Sequence, residues 1–237
     1  MHRLTTAREI VQDYGYVLGR RWLSLRRGMT PPPPSSTPTA RPVLLIPGVF
    51  ETWHYLDAVA TRLREQGHAV HHPAELGFTR RPIPETALIV QRYLERLDLR
   101  DVVIVGHSKG GLIGKLLLMQ DRDARIAHII AINAPFPGSP LARYAVSAWR
   151  EFSPARPVIR ELAAATEVDD RIVSIYSRFD QYVPGTSRLA GARNVEIPVA
   201  GHFRVLAHPQ VLDTVARWAA EPAASARPSS AAAPRDD

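Results

Sequence analysis

Short apolar runs rich in β-branched residues alternate along the chain with longer segments in which apolar residues recur every three or four positions. The runs predict buried strands at 43–46, 69–72, 102–105, 127–132, 172–177 and 194–198. The helical pattern predicts helices at 55–66, 85–97 and 209–220, and one more that follows residue 110. Strands that alternate with helices predict an α/β fold, in which a mostly parallel central sheet carries helices on both faces. Ligands of such sheets bind beyond the carboxyl ends of the strands, so residues that directly follow strands are the functional candidates.

Composition divides the chain into an N-terminal segment at 1–30, a linker, one domain and a tail. Residues 43–220 hold the predicted strands and form one α/β domain. The preceding segment 31–42, PPPPSSTPTARP, cannot form a helix or an inner strand and is predicted to be an extended linker. Residues 221–237 are mainly Ala, Ser, Pro and charged residues, which predicts a disordered tail. Inside the domain, residues 136–168 show proline-rich turns and two helical patches but no strand pattern.

Residues 1–30 are predicted to form a basic amphipathic helix with a net charge of +4. Two interpretations of this helix remain open: it contacts an anionic membrane surface peripherally, or it is packed on the α/β domain. The segment lacks the continuous apolar core and the small-residue cleavage site of a secretory signal peptide, so we predict a cytoplasmic protein. The apolar residues of the helix lie within an arc of about 140°, and they are Leu4, Ile10, Val11, Tyr14, Val17, Leu18, Trp22 and Leu25.

Overall composition narrows the class of protein. The 237 residues are 45% hydrophobic, and no apolar run reaches the ~18 residues of a membrane-spanning helix. There is no cysteine, which excludes disulfides and thiol chemistry. The net charge is +7 and nearly all of the positive charge is arginine, since Lys109 and Lys115 are the only lysines. Because no nucleic-acid motif accompanies this charge, we expect a solvated basic surface and no nucleic-acid partner.

A candidate nucleophile lies between the third predicted strand and the helix that follows it. The residues 106–110 read Gly-His-Ser-Lys-Gly, a Gly-x-Ser-x-Gly pattern in the strand–turn–helix context of a nucleophile elbow. The glycines leave room for strand and helix to pass close together behind Ser108, and the helix start favours developing negative charge. The alternative is a glycine-rich turn that contains an incidental serine.

A serine nucleophile needs a base, and the base needs an acid that orients it. His202 follows the last predicted strand directly after a glycine, whereas His208 lies before a proline at a helix start, where a solvated histidine is expected. His107 neighbours the serine but faces away from the turn, so we interpret it as structural. Asp180 follows the fifth strand at its carboxyl end, so it is the candidate acid, although an Asp in this position can also simply form a turn. Asp169 and Asp170 precede the same strand, at the wrong end of the sheet.

Two backbone N–H groups are candidates for an oxyanion hole, the pair of donors that stabilises the negative oxygen of an acyl-transfer intermediate. One belongs to Lys109, directly after the serine, and its side chain is expected to point away. The other belongs to Val49, after the first strand. Phe50, Phe136 and Phe203 follow strand ends and could line an apolar acyl pocket, although ordinary core positions are the alternative. This chemistry requires no metal and no organic cofactor.

A family resemblance supports these assignments. The segment 172–211, IVSIYSRFDQYVPGTSRLAGARNVEIPVAGHFRVLAHPQV, resembles the end of the small, lidless Bacillus-type lipases, which place a strand, an aspartate, a Gly-Ala-Arg-Asn-Val segment and a Gly-His pair in this order. The elbow and the segment 133–139, Asn-Ala-Pro-Phe-Pro-Gly-Ser, also resemble the wider group of bacterial lipases and deacylases. The resemblance covers residues 43–218.

The resemblance implies an α/β-hydrolase fold for residues 43–220 and hydrolysis of small-molecule or lipid carboxylic esters through Ser108, Asp180 and His202. Acyl transfer and thioester hydrolysis use the same residues and remain alternatives, as does a catalytically silent, membrane-associated interaction module. The chain departs from these lipases in three places. Pro47-Gly48 replaces their His-Gly in the oxyanion loop, the segment 136–168 is longer, and the basic extension with its linker has no counterpart. A secreted location is therefore not implied.

Overall fold

The computed structural model describes residues 2–144, 147–184 and 187–221, so most of the predicted disordered tail lies outside the described residues. All six predicted strands and all four predicted helices of the domain are present within one or a few residues of their predicted bounds. The strands are β1 Ala40–Ile46, β2 His68–His71, β3 Val102–His107, β4 Ile126–Ile132, β5 Ile172–Phe179 and β6 Arg193–Ala200. The helices are α1 His2–Arg27, α2 Asp57–Glu65, α3 Ile83–Arg96, α4 Lys109–Gln120, α5 Pro157–Ala164 and α6 Pro209–Ala220. β1 begins three residues inside the predicted linker.

The six strands form one parallel sheet in the order β2-β1-β3-β4-β5-β6, which confirms the predicted α/β class. The chain runs from β1 outward to β2 and then returns to place β3 on the other side of β1. The order of strands therefore reverses between β1 and β3, and ligands of open α/β sheets bind in the crevice at such a point. The register pairs Ile46 with Gly106 and His107 with Ile132, so the loops after β1, β3 and β4 leave the sheet side by side.

Alternating strand residues build two cores, one on each face of the sheet. Leu44 and Ile46 of β1 pack with α3 and α4, whereas Val43 and Leu45 pack with α2 and α6. Because both faces are covered, these residues are fully buried and the strands read as continuous apolar runs. Residues 136–168 contain α5 and short 3₁₀ turns and lie outside the sheet, as predicted.

The N-terminal helix α1 lies against the α2 and α6 face of the sheet, where Tyr16 and Val17 pack on the core and several polar side chains bind the domain. The hydroxyl of Tyr16 donates to the Tyr55 carbonyl at 2.9 Å, and Ser24 Oγ lies 2.7 Å from the Thr52 hydroxyl. Asp13, on the same face, is completely buried. The predicted linker therefore does not hold α1 away from the domain, because these contacts tie the helix down.

The opposite side of α1 carries a row of exposed apolar side chains, which we call the outward stripe. Its members are exposed to between 47% and 85% and recur every three or four positions, so they share one line along the helix. Docking thus uses the polar face and leaves most of the predicted apolar arc in solvent. No helix in the described ranges combines the length and the apolar character needed to span a bilayer. The outward stripe consists of Val11, Tyr14, Leu18, Trp22 and Leu25.

Candidate active site

Ser108 lies between β3 and α4 in a strained backbone conformation, with φ 50° and ψ −114°. A residue with a side chain adopts this region only when its surroundings enforce it. Here the approach of strand and helix does so, since a Cβ on Gly110 would lie 2.0 Å from the Ile46 carbonyl oxygen. A Cβ on Gly106 would lie 2.3 Å from the backbone of Gly110. The predicted elbow is therefore present, with Ser108 at the first turn of α4.

Asp180 and His202 meet at the carboxyl edge of the sheet, where they follow β5 and β6. His202 Nδ1 lies 2.6 Å from Asp180 Oδ2, and because a carboxylate only accepts, Nδ1 carries the proton. The other oxygen of Asp180 accepts the N–H groups of Tyr182 at 2.8 Å and Val183 at 3.0 Å. Both side chains are buried. The structure thus brings together the predicted base and the predicted acid.

The electrostatics of this pair follow from its burial and its contacts. Burial lowers the pKa of His202, but the neighbouring carboxylates, Asp180 first and then Glu51 and Asp13, together hold the pKa above the ordinary 6.5. Burial would raise the pKa of Asp180, but His202 and the two N–H donors hold it below its ordinary value. An imidazole with a raised pKa next to a carboxylate with a lowered one is suited to accept and return a proton near neutral pH.

His107 connects the elbow to the turn that carries His202. Its Nε2 donates to the His202 carbonyl at 2.9 Å, and the two rings have centroids 4.8 Å apart. Its Nδ1 lies 2.8 Å from Glu51, which also accepts the Gly48 N–H at 2.8 Å. His107 is therefore structural, as predicted, and it brings the residue next to Ser108 into direct contact with the candidate base.

The candidate oxyanion donors, Val49 and Lys109, follow the paired ends of β1 and β3. Lys109 is the first residue of α4, and N–H groups at a helix start have no acceptor within the helix. Its side chain is fully buried. The ammonium lies 2.7 Å from Glu151 and 2.6 Å from the Arg81 carbonyl. This ion pair ties the 3₁₀ segment at residues 147–152 to the start of α4.

Comparison with known proteins agrees with this geometry. A family model described as the alpha/beta hydrolase fold matches residues 41–156, which include the elbow and the strands on both sides of it. The chain has the α/β-hydrolase fold. Haloalkane dehalogenase 1 of Mycobacterium tuberculosis is 30% identical to this chain over 167 residues, which are 64% of this chain and 54% of the relative. The chain thus spans about half the length of the curated relatives it matches.

Two solved structures share the fold of this chain at low sequence identity. The mature form of a Bacillus licheniformis lipase superposes with a TM-score of 0.62 and 11% identity, over 81% of this chain and 96% of the lipase. A monoacylglycerol lipase of Paleococcus ferrophilus superposes with a TM-score of 0.59 and 14% identity, over 78% of this chain and 95% of the lipase. These similarities establish the fold, and the specific likeness to lidless Bacillus-type lipases stays a prediction.

The three phenylalanines proposed for a substrate pocket have different surroundings in the structure. Phe203 is partly buried beside His202, with ring centroids 4.8 Å apart. Phe50 lines a cavity of about 380 Å³. Phe136 is only 2% exposed and packs in the hydrophobic core, so its assignment to a pocket surface is corrected. The chain turns inward after β4, which buries this side chain near Lys115. The apolar lining of the cavity comprises Leu25, Met29, Phe50, Tyr55 and Phe78.

Three polar residues at the site escape prediction from the sequence. Asn133 donates to the His202 carbonyl at 3.1 Å, Glu51 holds His107, and Asp13 accepts the His202 N–H at 3.0 Å. Asn133 opens the segment 133–139 noted in the sequence, but no local pattern indicates these contacts, since each joins distant stretches of sequence. Among the described residues, no group of three or more His, Asp or Glu side chains is arranged to hold a metal ion.

Proposed function

We propose that this protein cleaves carboxylic esters through an acyl-enzyme formed on Ser108. The observation that carries the proposal is the 2.6 Å contact between His202 and Asp180, at the same sheet edge as a serine in a strained elbow. A serine hydroxyl is a weak nucleophile by itself, and this pair supplies the oriented base that the reaction needs.

Each residue has a defined part in the proposed reaction. Ser108 Oγ attacks the ester carbonyl while its proton passes to His202 Nε2. Asp180 keeps the other ring nitrogen protonated and stabilises the imidazolium that forms. The N–H groups of Val49 and Lys109 hold the oxyanion. His202 then gives its proton to the leaving alcohol, and water cleaves the acyl-enzyme by the same route in reverse.

A fluorophosphonate probe tests this proposal directly, because it labels an activated serine without requiring knowledge of the substrate. We expect the wild type to be labelled and Ser108→Ala to be unlabelled. An unlabelled wild type would favour the catalytically silent module, and a labelled Ser108→Ala variant would move the nucleophile elsewhere. Product analysis with and without an alcohol or thiol acceptor then separates ester hydrolysis from acyl transfer, and thioester substrates test the thioesterase alternative.

The relatives named as haloalkane dehalogenases suggest a second reaction, and the chemistry of Ser108 argues against it. Attack of a serine on the carbon of an alkyl halide would leave an ether, which water does not cleave, so the enzyme would stop after one turnover. A carboxylate nucleophile would leave a hydrolysable ester, but the elbow carries serine. We therefore expect no repeated halide release from haloalkanes, and sustained release would overturn this assignment.

The surroundings of the site favour esters with an apolar acyl group. The cavity lined by Phe50 and Tyr55 adjoins the site through Phe203, whose ring lies 6.0 Å from Tyr55 and 4.8 Å from His202. Each buried methylene contributes about 0.8 kcal/mol, so a medium-length chain should bind better than acetyl. We expect p-nitrophenyl octanoate to exceed the acetate in kcat/KM. The opposite order would refute the acyl pocket.

We further propose that the enzyme meets its substrate at an anionic lipid surface, which the outward stripe of α1 contacts. The stripe is apolar and exposed, and exposed arginines flank it, with the Arg26 guanidinium 4.2 Å from the ring of Trp22. Leu25 of the stripe also lines the cavity beside Phe50, so lipid bound at the stripe would lie next to the proposed acyl pocket. This arrangement is typical of peripheral membrane helices.

Sedimentation with phosphatidylglycerol vesicles tests the lipid contact. We expect the full chain to bind at low salt and to be released at high salt. Leu18→Gln should abolish binding and leave hydrolysis of soluble esters unchanged, because Leu18 is 68% exposed. Failure of the wild type to bind would refute the lipid contact. Concentration-dependent dimerisation that Leu18→Gln removes would instead assign the stripe to a second copy of the chain.

A further inference from the structure

The carboxylate of Asp13 on α1 is the acceptor for the turn that carries His202. Its Oδ1 accepts the N–H groups of Phe203 at 2.7 Å and Arg204 at 2.6 Å. Its Oδ2 accepts the His202 N–H at 3.0 Å and the Gln181 side-chain amide at 2.7 Å. Asp13 is 0% exposed, although much of α1 around it lies in solvent. A concave set of backbone N–H groups of this kind holds an anion.

The backbone of the turn leaves space for this carboxylate. Gly201 has φ +125°, a conformation that residues with side chains rarely adopt. A Cβ at this position would lie 2.7 Å from Asp13 Oδ1. Gly201 thus permits both the bend after β6 and the close approach of α1. Burying a carboxylate without hydrogen bonds is costly, and here four neutral N–H groups offset that cost.

His202 is consequently held from three directions. Asp13 binds its N–H, while His107 and Asn133 donate to its carbonyl at 2.9 and 3.1 Å. Asp180 orients the ring itself. Proton transfer requires about 2.6–3.2 Å between the heavy atoms of base and donor, so the position of this main chain determines whether the ring can reach the serine.

We infer that Asp13 is a positioning residue, through which the N-terminal helix α1 fixes the main chain of the proposed base and becomes part of the active site. This inference rests on the proposed function of His202. The helix is then required for the rate of the chemical step as well as for packing. Asp13 itself does not touch the reacting atoms, and it acts only through the turn at residues 201–204.

A second effect of Asp13 is electrostatic. The charged groups that face His202 are Asp180 from the loop after β5, Glu51 from the loop after β1, and Asp13 from α1. Burial lowers the pKa of His202, and all three carboxylates raise it, with Asp180 the largest of them. Removing the Asp13 charge should therefore move the acidic limb of the kcat/KM profile to lower pH. A residue that only docks the helix would not move this limb.

The Asp13→Asn variant tests the inference because it keeps the shape of the side chain. One oxygen can still accept two N–H groups, but the amide nitrogen then faces the N–H of His202 and repels it. We expect kcat per active site to fall about 10- to 100-fold, the effect of a misplacement of up to about 1 Å, with little change in KM. Active sites are counted by fluorophosphonate titration, so a fraction of unfolded protein does not enter the rate.

Tyr16→Phe is the matched control on the same face of the same helix. It removes the 2.9 Å bond to the Tyr55 carbonyl, which docks α1 without touching the turn at 201–204. We expect a lower Tm with an unchanged kcat per site and an unchanged pH profile. If Asp13→Asn behaves in the same way, with only its Tm affected, the inference is overturned.

Hydrogen exchange on the wild type provides a test that does not depend on a folded variant. The amide hydrogens of residues 202–204 should be protected, because Asp13 binds all three. Rapid exchange of these amides would overturn the inference even if Asp13→Asn failed to fold. A wild type that does not react with the fluorophosphonate would contradict the proposed function instead, so the two failures are distinguishable.

Discussion

The Asp180→Asn variant tests how the ring of His202 is oriented, because asparagine has the shape of aspartate but only one acceptor oxygen. In the structure, Oδ1 of Asp180 accepts the N–H groups of Tyr182 and Val183. These two donors select the orientation of the new amide, with its oxygen toward them and its nitrogen toward His202 Nδ1. The amide then donates where the carboxylate accepted. The neutral ring of His202 must carry its proton on Nε2, facing the serine, and cannot take the serine proton.

The expected loss follows from this change of tautomer. The equivalent substitution in a serine protease triad lowers kcat by about 10⁴, and we expect a decrease of about 10³–10⁴ here. That decrease corresponds to about 4–5.5 kcal/mol of activation free energy. Folding should change much less. The variant replaces a hydrogen bond to a charged group with a neutral one, which lowers the free energy of unfolding by about 1 kcal/mol. For a chain of this length that corresponds to a decrease in Tm of about 2–4 °C.

Single-turnover acylation by a p-nitrophenyl ester, normalised to titrated sites, measures the effect, and calorimetry gives Tm. Asp170→Asn is the control, since Asp170 is exposed at the opposite end of β5. We expect this control to keep the wild-type rate. Full activity of Asp180→Asn would refute the reasoning, and a loss in Asp170→Asn instead would move the acid to the other end of the strand.

Three further changes test the fold and the base. In the wild type, the Lys115 ammonium lies 2.6 Å from the Asp169 carboxylate, and both are buried. Asp169→Asn leaves this ammonium without a counter-charge, so urea titration should show a free energy of unfolding lower by about 3–5 kcal/mol. The value of kcat per titrated site should stay unchanged. Gly110→Ala forces a methyl group to 2.0 Å from the Ile46 carbonyl oxygen, and circular dichroism should report a misfolded or insoluble protein. The raised pKa of His202 predicts that kcat/KM increases with pH through a midpoint above 6.5. Because the folded protein holds the His202 proton more tightly than the unfolded chain does, the protonated ring stabilises the fold. This contribution should be complete below pH 6.5 and lost as the pH rises through the His202 pKa, and Tm measured against pH would detect the loss.

The strands and the site at their carboxyl ends could be predicted because local sequence determines them. A fully buried parallel strand needs a continuous apolar run, and the close approach of β3 and α4 needs Gly106 and Gly110. Asp180 and His202 were identifiable from their positions after strands, since parallel strands bring their carboxyl ends to one edge. The same logic placed Phe136 near the site, but it does not tell whether a side chain turns toward the cleft or toward the core.

The polar contacts around the site could not be predicted because they join distant parts of the chain. Asp13 lies 189 residues before His202, and its only signal is that it is an acidic residue on a helix rich in arginine. Nothing local to Lys109 indicated that its side chain would be buried or that Glu151, from the segment 136–168, would pair with it. The amphipathic pattern of α1 left membrane contact and docking open, and it did not indicate that the helix docks with its apolar stripe facing outward. Such contacts depend on the three-dimensional packing of elements rather than on any local pattern.

The polar docking of α1 has a consequence for the behaviour of the protein in urea. The sensitivity of an unfolding step to denaturant scales with the surface that the step newly exposes. The outward stripe is already in solvent, so release of α1 exposes less apolar surface than release of a helix docked through its apolar face, and it depends less on urea than global unfolding does. Local openings of this kind require less free energy than global unfolding. Hydrolysis should therefore decline along a shallow slope while the ellipticity of the sheet is still intact. On refolding, activity should return last, after β6 has joined the sheet and α1 has closed over its turn.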